Sequence, residues 1–256
     1  MILRHVLLLA TAVAIATTAL PEANAAPKIA IIIDDLGYGL AAGRRAIELP
    51  GPLAFAVLPA TPSGRALADA AHKQGKEVLL HLPLEAVAQQ GPPEPGGITM
   101  DMTRNMIRDA FAAALESVPY AIGVSSHRGS LLTRHPGHMA WLMQEIRLRD
   151  GLFFIDSYTH HQSVALRIAE ETGVAAVRRD VFLDSERSAA ALAREFARLK
   201  ALALENGIAV GIGHPYPETL EFLERELRAL DGEDFELIPI SEALQSLVEP
   251  GVATAL

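Results

Sequence analysis

Cysteine is absent from all 256 residues. That excludes disulfides and any thiolate metal site, so the core must hold by packing alone and a metal must take His, Asp or Glu as ligands. Aromatic residues are scarce, at 5% with one tryptophan. Trp141 lies in the helical stretch GHMAWLMQEIRL and fits a core better than a sugar site, where the four tyrosines remain available to stack. No lysine- or arginine-rich run occurs and the formal net charge is −9, which argues against a general nucleic-acid binder, since that needs a cationic surface. Beyond the N-terminus no stretch reaches the ~18 apolar residues of a membrane span. No internal repeat is present. Half of the residues are hydrophobic and 21% are charged, a globular composition.

The N-terminal stretch MILRHVLLLATAVAIATTALPEANA has one early arginine, an apolar segment from Val6 to Leu20, and small residues at Ala23 and Ala25. These features predict a signal peptide over residues 1–25, with cleavage after Ala25. The expectation is an exported, periplasmic protein with no stable membrane insertion after cleavage, folded as a single domain over 26–256. An uncleaved membrane anchor is the alternative reading of that segment.

After residue 27 apolar runs alternate with amphipathic stretches. Strands are expected at 29–33, 53–58, 76–81, 120–124, 152–155, 175–183 (interrupted by Arg178-Arg179-Asp180), 208–212 and 235–239. Helices are expected in SGRALADAAHKQG, in TRNMIRDAFAAALESVP with Thr103 as N-cap, in SAAALAREFARLKALALENG ending at Asn206-Gly207, and in PETLEFLERELRAL. Seven or eight βα units with near-continuous apolar strands predict an α/β fold: a parallel sheet closed into a deformed (β/α)7-8 barrel, with a doubly wound open sheet as the competitor. The Pro/Gly-rich stretch at 88–100 reads as a loop, or partial lid, on the functional face.

Parallel α/β sheets place their sites at the carboxyl ends of strands. There the sequence puts Asp34-Asp35, His81 with Glu85 four residues on, His127, Asp156-Ser157 and His214. Each has an ordinary structural reading: a turn, a cap, a hydrogen-bonded histidine. Together, Asp35, His81 and His127 can offer one carboxylate and two imidazoles to one divalent cation, leaving positions for water and substrate. Asp34 is then placed to accept a proton from water, and His214 to protonate a leaving group. The ligand types suit zinc foremost, with manganese, cobalt or nickel as alternatives. His135, His138, His160 and His161 lie in loop or helix contexts, and His72 on a polar helix stretch.

The series IIIDDLG, LLHLPLE, SSHRGSLLT, FFIDSYT, RDVFLD and GIGHPYPETL resembles the divergent polysaccharide deacetylase family of exported, YibQ-type proteins, a distant branch of the NodB-like carbohydrate esterases. The resemblance spans nearly all of residues 28–247. It implies a deformed barrel with a metal at its mouth and removal of acetyl groups from a glycan by attack of metal-activated water. Peptidoglycan or another envelope polysaccharide would be the substrate, Asp34 the base, Asp35 a ligand and His214 the acid. Two motifs depart from the NodB pattern. Glu85 stands where a second ligand histidine belongs, and SSHRGS replaces Arg-x-Pro-x-Gly, so His127 is inferred to supply the missing ligand. Asp156 would lie behind the metal or face substrate, beside Ser157. A non-catalytic glycan- or protein-binding barrel is the main alternative. A hydrolase of amides or phosphate esters is a third, with Arg128 and Arg178-Arg179 as the only candidate phosphate cradle.

Overall fold

In a computed structural model, residues 26–88, 91–230 and 234–248 are described; the expected signal peptide lies outside them. Among the described residues nine parallel strands form one sheet: β1 (Lys28–Leu36), β2 (Ala54–Val57), β3 (Glu77–Leu84), β4 (Ala121–Arg128), β5 (Phe153–Asp156), β6 (Ala176–Arg178), β7 (Val181–Phe182), β8 (Ile208–Gly213) and β9 (Glu236–Leu237). Helices alternate with them: α1 (Leu40–Ile47), α2 (Gly64–Lys73), α3 (Arg104–Ser117), α4 (Pro136–Arg147), α5 (Ala165–Thr172), α6 (Ala189–Asn206), α7 (Pro217–Leu230) and α8 (Ile240–Val248).

The spatial order is β6-β5-β4-β3-β2-β1-β8-β7, with β9 added beside the start of β1. From β1 to β6 sequence neighbours stay neighbours, β8 and β7 continue the sheet on the other side of β1, and the wrap follows a barrel rather than a doubly wound sheet. The fold is a curled, incompletely closed barrel. The interruption expected at Arg178-Arg179-Asp180 is where the chain leaves one edge of the sheet for the other: Asp156 pairs with Arg178, whereas Val181 pairs with Gly211. Thus one expected strand is two. Arg179 clips this crossing by donating to the carbonyls of Ser157 (2.8 Å) and Tyr158 (3.1 Å).

Strand alternation sorts the side chains. Ile29, Ile31 and Ile33 pack outward under the helices, with Phe111, Leu142 and Leu223. Ala30, Ile32, Ala54, Ala56, Leu79, Phe153, Ile155, Val210 and Ile212 fill the interior. Three of these nine are alanines, and the Phe153 ring occupies the space a Gly123 side chain would need. At the amino-terminal end of the strands, α8 plugs the interior with Ile240, Ala243 and Leu244, and Glu77 accepts from the amides of Ile240 (2.9 Å) and Ser241 (3.3 Å). The apolar filling stops at the opposite, carboxyl end, where the polar residues gather.

The helix signals hold in detail. Thr103 Oγ1 accepts from Met106 N to start α3, Ser188 Oγ caps α6, and Gly207 with φ +81° ends α6. Among the described residues no helix is long and apolar enough to cross a membrane.

Gly37, just past β1, carries φ +147°, and a Cβ there would overlap the Thr61 hydroxyl. Its carbonyl also accepts from Ser63 N at 2.9 Å. Gly37→Ala is therefore expected to destabilise the chain by about 2 kcal/mol, or roughly 4–8 °C in a thermal melt. An unchanged melting temperature would contradict this role.

Candidate active site

The inner face of each strand continues into the site. In β1 the inward series Ala30, Ile32 leads to Asp34, which is 2% exposed. Asp35 would point away in a regular strand. Instead it has φ +62°, and the β1–β2 register slips between Ile33 and Leu36. Such an irregularity re-aims a side chain. As a result both carboxylates reach His81 Nε2, Asp35 Oδ1 at 3.1 Å and Asp34 Oδ2 at 3.6 Å.

His81 is the inward residue of β3 after Leu79, and Ser125 and His127 follow Gly123 on the inner face of β4. His127 Nδ1 lies 2.9 Å from Asp35 Oδ1 and 3.1 Å from His81 Nε2. Two ring nitrogens that close cannot both hold bare lone pairs; a proton or a cation must sit between them. Asp35 Oδ1 is buried yet has no hydrogen bond of good geometry. The three ligand atoms lie within 4.8 Å of one another. Two imidazoles converging on a carboxylate whose buried oxygen is unsatisfied fit a divalent metal with open coordination positions.

Electrostatics separate the two acids. Burial raises the pKa of Asp34, the Asp35 charge adds to this, and facing histidines oppose it only in part. Burial also acts to raise Asp35, but His127 and His81 overcome it and hold that carboxyl well below the usual range. Burial acts to lower the pKa of His127, yet Asp35 and Glu94 on either side raise it. The two neighbouring acids are thus shifted in opposite directions.

His214 follows Ile212 on the inner face of β8 and directs Nε2 to within 3.9 Å of Asp35 Oδ2. Its Nδ1 donates to Asp184 Oδ1 at 2.8 Å. Asp184 is buried and also accepts from His214 N (2.7 Å) and Thr219 Oγ1 (2.9 Å). Burial works against the imidazolium, but Asp184 outweighs it and lifts the His214 pKa to about 9. The sequence reading missed Asp184. The signal available was its place directly after the strand expected at 175–183; in the structure it stands two residues beyond Phe182, which packs inward and stacks on His214.

The remaining candidates fall elsewhere. Asp156 lies on the same face of β5 as Phe154, outward, and its carboxylate is used by Tyr158 N (2.9 Å) and Ser163 Oγ (2.8 Å), fixing the loop after β5. Ser157 takes the inward place instead. Its Oγ is 3.4 Å from Ser125 Oγ, which in turn lies 3.5 Å from Asp34 Oδ1. Glu85 accepts from Met100 N at 2.6 Å and so ties down the 91–100 segment. His72 is exposed and stacks on Tyr120; His138 bonds Met100 O; His160 and His161 stack on each other.

Comparison with known proteins agrees with this architecture. The model of the divergent polysaccharide deacetylase family matches residues 31–244. The uncharacterized protein YibQ of Escherichia coli strain K12 is 36% identical over 252 residues, spanning 98% of this chain and 76% of that protein. Among solved structures, the uncharacterized protein ATU2773 from Agrobacterium tumefaciens C58 superposes with a TM-score of 0.81 at 24% identity, covering 85% of this chain and 89% of the other. The catalytic domain of peptidoglycan N-acetylglucosamine deacetylase from Eubacterium rectale ATCC 33656 shares the fold, with a TM-score of 0.52, 14% identity, and coverage of 83% and 88%. With its family model matched from β1 to α8, the chain belongs to the divergent polysaccharide deacetylase family.

Proposed function

We propose that the chain is a metal-dependent hydrolase of the cell envelope that removes acetyl groups from a polysaccharide. The observation that carries this reading is the convergence of Asp35, His81 and His127 between an acid with a raised pKa, Asp34, and a histidine backed by a carboxylate, His214. Asp35, His81 and His127 would hold the divalent metal, most plainly zinc, which supplies Lewis acidity toward the acyl carbonyl and toward water.

The chain's own groups then divide the proton work. Asp34, beside His81, accepts a proton as water oxygen bonds to the acyl carbon. His214, held as imidazolium by Asp184, gives its proton to the departing amine or alcohol as the C–N or C–O bond breaks. Acetate and the free amine or alcohol result. The His214–Asp184 pair favours this reading over a glycan-binding barrel without catalysis, which needs no proton donor there. A phosphate cradle is not favoured: Arg128 engages Glu94 at 2.9 Å, and Arg179 is committed to two carbonyls. Peptidoglycan is the first substrate to try, since a structure of the same fold is a peptidoglycan N-acetylglucosamine deacetylase.

Acetate release from acetylated peptidoglycan and chitin oligomers by zinc-loaded protein tests the reading; no release from any acetylated envelope glycan would oppose it. The pH profile tests the acid. His214 must be protonated, so activity is expected to persist at neutral pH and to fall as pH rises through about 9. Asp184→Asn removes the largest influence raising that pKa and should move the alkaline limb down toward 6.5, the ordinary histidine value. A limb that stays in place would show that His214 is not the titrating acid.

A further inference from the structure

Two consecutive residues at the end of β4 meet one carboxylate outside the sheet. His127 Nε2 lies 3.3 Å from Glu94 Oε1 and 3.2 Å from Oε2, and Arg128 Nε lies 2.9 Å from Oε1. Neighbouring side chains of a strand ordinarily point to opposite faces. Arg128 has φ +55°, and this left-handed turn allows both side chains to reach Glu94. The glutamate is itself held in place: Gly97 N donates to Glu94 O at 2.9 Å, and a Cβ on Gly97 would crowd that carbonyl.

The two candidate imidazole ligands differ in what stands behind them. His81 presents Nε2 to the site, and its Nδ1 is buried without a hydrogen-bond partner. His127 presents Nδ1 to the site and Nε2 to Glu94. A histidine that ligates through one nitrogen carries its proton on the other, and an acceptor for that proton fixes both tautomer and ring orientation. His127 has such an acceptor among the described residues, and it comes from the loop after β3 rather than from the barrel wall.

We propose that Glu94 is a positioning residue for the metal centre: by accepting the Nε2 proton of His127 it holds Nδ1 turned toward Asp35, so that a residue of the β3–α3 connection sets metal affinity. This rests on the metal-centre reading above. It goes further in assigning a role to Glu94, which lies outside every motif that carries the family resemblance.

The test is zinc affinity of the full chain, measured by competition with a chelator. Glu94→Ala is expected to weaken binding about 10- to 100-fold, and Glu94→Gln, which keeps an acceptor oxygen, to recover part of that loss. Melting of the metal-free variants close to wild type would show that the fold is intact. In the zinc-loaded protein, proton NMR should show a slowly exchanging His127 Nε2–H in wild type and a fast-exchanging one in Glu94→Ala, with His127→Asn providing the assignment. Wild-type zinc binding with Glu94→Ala within twofold of it, and an unmoved Nε2–H signal, would overturn the role of Glu94 alone. No zinc uptake by wild type would overturn the metal-centre reading and this assignment with it.

Discussion

Asparagine in place of Asp34 is expected to cut acetate release by about 10³-fold while leaving zinc affinity within a few-fold of wild type. The reasons are geometric. Asparagine keeps the shape of a side chain that is 2% exposed, and an oxygen that can still accept from Ser125 Oγ. It removes the basic carboxylate that burial tunes toward proton exchange. Asp34 also stands outside the trio whose ligand atoms converge. Paired measurements of turnover and metal stoichiometry on one preparation separate the roles of the two acids. Turnover near wild type would refute Asp34 as the base. Loss of metal together with turnover would show that the two carboxylates act as joint ligands.

The second large effect falls on the neighbouring acid. Asp35→Asn is expected to weaken zinc binding by more than about 100-fold, beyond the 10- to 100-fold cost of losing a partner behind a ligand, and to abolish turnover with it. Asparagine tolerates the left-handed backbone that Asp35 adopts at φ +62°, so the variant should fold. What it lacks is the anion opposite two imidazoles, 2.9 and 3.1 Å away. Chelator competition measures the affinity directly. Near-wild-type binding by Asp35→Asn would mean that the two histidines hold the metal with some other anion.

Much of this arrangement follows from a single periodicity. A strand buried on both faces reads as a continuous apolar run, as in Ile29–Ile33, and the run reveals the strand without revealing which face is inside. Once Ile32 is known to point inward, counting by twos leads to Asp34; Leu79 leads in the same way to His81, and Ile212 to His214. The same count explains why Ser157 reaches Ser125 while Asp156, one residue earlier, bonds to its own loop. Asp184 directly follows the strand expected at 175–183, but a single strand there did not say which strands its end would face. The crossing at Arg179-Asp180 places β6 and β7 on opposite edges of the sheet, and only that topology sets Asp184 beside His214. Glu94 had no such signal. It lies in a Pro/Gly-rich connection with no period, and its contact with His127 depends on where the loop comes to rest. The left-handed turns at Asp35 and Arg128 were likewise illegible, since neither is glycine; they bring together side chains that a regular strand would separate.

The claim on which the rest depends is that Asp35, His81 and His127 hold a divalent metal. Elemental mass spectrometry of purified residues 26–256, without a histidine tag, tests it most directly. About one metal per chain is expected, zinc foremost, and it should be lost in Asp35→Asn. A wild-type chain that carries no metal, and takes up none from micromolar zinc or manganese, would contradict the claim and leave the barrel as a binding protein.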